Sequence, residues 1–183
     1  MNKPAAEPRP VWPDAPRYAP GRAFPPYRFV PGLNPHPTEH PDGHSVHATH
    51  RPVTPLDENW RTNDAYLTGF DLYHQGYFWE AHEAWEGLWR LATDDSVEKH
   101  LLHALILNAA AQLKWHVEQR RGATTHSRNA CNAFEMACNR AGSSLAFGID
   151  LPRMQTEMSC CYGALWDERE DLQIRAPRFI INV

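Results

Sequence analysis

With 183 residues and a formal net charge of -4, the chain has the length of one compact domain and no excess of positive charge. An acidic balance without a run of Lys or Arg lacks the electrostatic footprint that phosphate backbones and anionic lipid surfaces demand, so neither nucleic acid nor membrane is an expected partner. No apolar leader follows Met1-Asn2-Lys3-Pro4, and the longest apolar stretch, Ala104 to Leu113, is too short for a bilayer, so the expected compartment is the cytoplasm.

Fourteen of the sixteen prolines precede Leu56, which divides the chain into an arm over residues 1–53 and a domain over residues 54–183. Frequent proline removes backbone donors and fixes φ, so the arm is predicted to be extended. Its apolar side chains, among them Trp12, Tyr18, Phe24, Tyr27, Phe29, Val30 and Leu33, exceed those of a solvated linker and predict packing on the core from Phe24 onward.

In the domain, Thr54 as cap with Pro55 in the first turn predicts a first helix that ends at Gly76, its stripe running through Trp60, Asn63, Leu67, Phe70 and His74. A second is predicted over Tyr77 to Ala92, with Phe78, Ala81, Ala84, Trp85, Leu88, Trp89 and Ala92 on one face. The third opens at Asp95 in a box with Glu98, runs to about Arg120 and is apolar on nearly all sides, as a central helix would be. A fourth follows Gly122 with Thr124 or Thr125 as cap and stops at Gly142. A fifth follows Asp150, with Pro152 in its first turn. The tail from Pro177 to Val183 reads as an extended strip with no partner strand in evidence. The expectation is an all-α, compact bundle of about five helices.

Of the four cysteines, Cys131 and Cys138 fit one helix face as small core residues. Adjacent Cys160 and Cys161 have redox activity as their alternative to the reduced thiols of a cytosol. No Ser/His/Asp order, phosphate-cradling Gly loop or paired CxxC is present, which removes weight from nucleophile-based and nucleotide-binding classes.

The densest motif is Gly76-Tyr77-Phe78-Trp79-Glu80-Ala81-His82-Glu83, with Glu86, Trp89 and Arg90 following. It resembles the signature of the family catalogued as domain of unknown function 309. The likeness continues through the Ala-rich stretch to Gln112 and Lys114 and to Gly122-Ala123, spanning about Leu67 to Phe134, and the arm segment Phe29 to His44 is similar to an extension found in some members. The resemblance implies an all-helical fold and brings no reaction, substrate or cofactor.

His82 and Glu86 are one helical turn apart, and Glu83 and Glu86 are also neighbours, although Glu83 points nearly opposite the apolar face. Two readings follow. In the first, His82, Glu83, Glu86, Trp89, Gln112 and Lys114 surround a Trp-lined polar cluster that takes up a small ligand or a partner segment, the arm included. In the second, His82 and Glu86 bind a divalent metal ion with His36 or His44 of the arm, and Glu83 is the general base of a hydrolase. The arm histidines His36, His40, His44, His47 and His50 crowd one short stretch and supply the candidates. Against both stands a purely structural role, in which Arg90 and Lys114 neutralise the carboxylates and His82 is a core histidine.

Overall fold

The computed structural model describes residues 9–47, 52–167 and 175–182. Among them are five α-helices: α1 (Asp64–His74), α2 (Phe78–Leu91), α3 (Val97–His116), α4 (Arg120–Arg140) and α5 (Leu151–Trp166). Two short strands, β1 (Leu145–Ala146) and β2 (Ile149–Asp150), form an antiparallel hairpin. The fold is a compact all-α one. None of these helices is long and apolar enough to cross a membrane.

α1 begins nine residues later than the Thr54 cap predicts, because Asn63 is the better cap. Its side chain accepts from Tyr66 N at 3.1 Å and donates to the carbonyls of Thr54 and Pro55 at 3.0 and 3.2 Å, so the Thr54 segment is tied to the helix start instead of starting it. A single 3-10 turn, Trp60–Thr62, precedes the cap. Gly76, at φ +81°, ends the hairpin turn into α2 in the left-handed region that a side chain resists. The two helices then approach closely, since a Cβ on Gly69 would lie 2.2 Å from Trp85 Nε1. The Trp85 indole is buried and donates to Tyr66 O at 3.2 Å.

At α3 the cap is Ser96, which accepts from Lys99 N at 3.1 Å, and not Asp95, whose φ of 60° places it in the preceding turn. α3 packs against both α2 and α4, but its His103, Leu107, Ala110 and Lys114 stripe is only half-buried, so it is enclosed on fewer sides than its composition predicts. It stops at His116 rather than Arg120. The reversal is made by Glu118 at φ 59° and by Gln119 N bonding to Lys114 O at 2.9 Å. Gly122 therefore lies inside α4, not before it. A Cβ there would meet the Lys114 stem at 3.3 Å, so its role is to let that stem lie on the first turn of α4. α5 matches its predicted start, with Asp150 accepting from Arg153 N at 3.0 Å and Met154, Met158, Tyr162 and Leu165 buried.

Residues 9–47 contain neither helix nor strand and lie along α1 and α2. Their packing starts at Val11, well before Phe24. The last turn of a helix leaves carbonyls without partners, and His74 O accepts from both Val11 N and Trp12 N at 3.0 Å, while Gln75 O accepts from Arg28 Nε at 2.7 Å. Phe24 stacks on Tyr77 with ring centroids 5.3 Å apart. The tail runs back over the same region: Phe179 packs on Phe70 and Tyr73, and Ile181 forms a bridge with Ile149 of β2, a pairing the sequence did not signal.

Candidate functional site

α2 presents its three acids to two environments. Glu80 turns under the arm and is buried. Its Oε1 accepts from Phe29 N at 2.9 Å and meets His44 Nε2 at 3.0 Å, while Oε2 is buried without a partner. Burial pushes the Glu80 carboxyl above its usual range against the opposing pull of His44 and the backbone donors.

On the outer side His82, Glu83 and Glu86 converge. Each offers one ligand atom, and these atoms all lie within 4.8 Å of one another. Helical register puts Glu83 beside Glu86, three residues on, whereas His82 starts about 100° round the helix from it, so the length of the Glu83 side chain closes that side of the cluster. Burial holds the His82 imidazole below its ordinary pKa, with Glu86 pulling the other way and His126 of α4 reinforcing the shift. Glu83 is exposed as a residue, yet partial desolvation of its carboxyl and then the Glu86 charge beside it raise its pKa; Arg90 and His36 oppose the rise. Glu86 Oε2 accepts from Arg90 at 2.8 Å. The cluster thus brings together one imidazole and two carboxylates, one of which is paired with the Arg90 guanidinium.

The other candidates are distributed elsewhere. Gln112 is directed to α5, where it donates to Tyr162 OH at 2.9 Å, and Tyr162 in turn bonds Asn108. Lys114 Nζ donates to Gln119 Oε1 at 2.8 Å. Trp89 lies by α3, with Lys99 Nζ 4.2 Å over its ring and His103 5.7 Å away. Of the arm histidines, His44 is taken by Glu80, whereas the His36 ring packs edge-on against Trp79 at 5.5 Å. His40 pairs with Asp42 of its own loop, His47 is exposed, and His50 lies outside the described residues. The Cys131 thiol is pushed up to about 11 and that of Cys161 to about 12 by burial, so both are protonated near neutrality.

The segment that builds this cluster has relatives. Residues 66–125 match the family described as Domain of unknown function (DUF309). The match takes in α2 and α3 whole and ends in the first turns of α4, nine residues short of Phe134; the arm falls outside it. The DUF309 description carries no activity, and no curated protein matches the chain.

Three residues that bear on these surroundings escaped the sequence reading. Asp71, 1% exposed, accepts from Tyr18 N, Ala19 N and Arg17 Nε at 2.8, 2.9 and 3.0 Å. Its signal was an acid between Phe70 and Leu72 on a buried stripe, which must find donors. Glu80 carried a similar signal one turn before the apolar Ala84. His126 had none, since its proximity to His82 is made by packing.

Proposed function

We propose that this protein binds a divalent metal ion at His82, Glu83 and Glu86. The observation that carries the reading is the convergence of one imidazole and two carboxylates from a single helix, with more negative charge than Arg90 neutralises. A dication relieves the repulsion between the carboxylates, and a nitrogen–oxygen set of this kind suits zinc, manganese or iron(II). Three protein ligands leave coordination positions for water and substrate, so metal-assisted hydrolysis is the reaction class the site suits. The test is calorimetric titration of chelator-stripped protein with Zn2+ and Mn2+. One ion per chain is expected, with binding lost in His82→Ala and Glu86→Gln; wild-type protein that takes up neither metal refutes the reading. Glu83→Gln separates two roles: loss of the ion makes Glu83 a ligand, and retained ion with lost turnover of an activated ester makes it a general base.

A second reading, a protein that holds a partner segment, is favoured by a different observation. Asp71 and Glu80 accept five hydrogen bonds from an extended piece of chain in residues 17–44, which is how a groove grips a peptide. Here the occupant is the protein's own arm.

A further inference from the structure

Among the described residues Arg90 is the cation in hydrogen-bonding contact with the cluster on α2. It stands four residues after Glu86 in the last turn of the helix, and one guanidinium nitrogen lies 2.8 Å from Glu86 Oε2. The Arg90 side chain is 67% exposed and that of Glu86 25%, and Glu83 beside them is exposed as well, so the rest of the fork is open to solvent. A surface ion pair across one helical turn adds little to stability, because side-chain entropy and screening by water offset the attraction. The guanidinium can therefore change partner at small cost. The lysines of α3 are committed elsewhere, Lys99 Nζ to Trp89 O at 2.9 Å and Lys114 Nζ to Gln119.

A ligated imidazole is neutral and ligated carboxylates are ionised. A dication on His82, Glu83 and Glu86 thus brings the cluster to zero charge, and Arg90 leaves the occupied site positive by one. If Glu86 Oε2 is the ligating atom, the guanidinium nitrogen stands within about 5 Å of the ion, one metal–oxygen bond and one hydrogen bond away. An oxyanion with one oxygen on the ion and another on the fork spans that gap, and the fork matches carboxylate and phosphate oxygens. A neutral amide, whose carbonyl offers one acceptor, uses the ion and leaves the guanidinium idle.

We propose that the site takes an anionic substrate, a phosphate ester or a carboxylate, whose oxygens bridge the bound ion and Arg90. This rests on the metal reading and deepens it by naming the substrate class. Arg90 is not a metal ligand, so the coordination positions for water and substrate stay open; it selects for charge. An anion that draws Arg90 off Glu86 frees that carboxylate for the ion, so by reciprocity anion and metal each tighten the other.

The experiment uses the full chain, stripped of metal and then given one equivalent of Zn2+, with inorganic phosphate and acetate as probes. Both are titrated calorimetrically into wild type, Arg90→Gln and Arg90→Lys, and zinc uptake is measured on the same samples. One anion is expected to bind loaded wild type at least about tenfold more tightly than stripped protein, and Arg90→Gln to lose at least about tenfold of that affinity while still taking up zinc. Arg90→Lys keeps the charge without the fork and is expected to lie between the two. The tighter probe names the group, phosphate for phosphate esters and acetate for carboxylates. The proposal is overturned, with the metal reading left standing, by any of four results: no anion binding to loaded wild type, equal binding to stripped protein, unchanged affinity in Arg90→Gln, or Arg90→Lys no better than Arg90→Gln. Mn2+ replaces Zn2+ if it alone is bound, and wild type that takes up neither ion overturns both readings.

Discussion

The acids of α1 and those on the outer side of α2 have the same chemistry and opposite circumstances. Asp71 is almost wholly enclosed, yet two backbone N–H groups and a guanidinium meet its oxygens, so its charge is compensated by groups that come from one continuous stretch of arm. Glu83 and Glu86 are nearer to solvent, and although Arg90 meets Glu86, no backbone donor among the described residues meets either. A carboxylate with its donors already in place is a fastener, whereas two that face each other around an imidazole hold unspent capacity for a cation. Glu80 is intermediate, with one oxygen satisfied twice and the other not at all.

That contrast can be broken from the strong side first. Asp71→Ala removes the acceptor of three hydrogen bonds, two of them from backbone N–H groups that the fold has desolvated, and is expected to lower stability by about 3 kcal/mol. Urea unfolding measures the loss, and proteolysis within residues 9–47 should accelerate with it. A change below about 0.5 kcal/mol would mean that the arm is a passenger.

Acid sharpens the same seam by a comparable amount. His74, whose carbonyl anchors the arm, has its imidazole held down to about 4 from 6.5, mainly by burial, with Asp71 and Asp14 opposing and Arg178 reinforcing. Between those values the unfolded chain binds a proton that the folded chain refuses. Stability should therefore be flat above about pH 6.5, fall as the pH drops towards 4, and lose about 3 kcal/mol in total from this group. Thermal melts across that window, compared with His74→Phe, read out the contribution. A variant whose pH profile matches wild type would place the acid sensitivity elsewhere.

The smallest effect is expected at the metal-free cluster. Glu83→Gln removes a like-charge neighbour of Glu86 and should raise the stability of stripped protein by about 0.3 kcal/mol, seen as a slightly higher urea midpoint. A loss exceeding about 1 kcal/mol would show that Glu83 is a fastener after all and erase the distinction from Asp71.

Much of this organisation was legible in the order of residues. The hairpin turn at Gly76, the buried face of α2 and the Asp150 cap of α5 are local consequences of backbone conformation, helical periodicity and side-chain capping, and each was readable within a few residues. The α1 start and the α3–α4 turn were misplaced because Thr54 was read as a cap and Gly122 as a breaker, each from its local context alone. What decided was a contact across a turn: Asn63 to the Thr54 carbonyl in one case, the Lys114 stem against Gly122 in the other.

The sequence by itself determined that His82 and Glu86 share a helix face, because a fixed rise and rotation per residue demand it. Only the tertiary structure decided that Gln112 and Lys114 are directed elsewhere and that His44 and His36 part company over α2. Those outcomes depend on how far a flexible side chain reaches and on where an arm without helical period comes to rest. Both are set by the surfaces that pack against them, so neither is written in any local spacing.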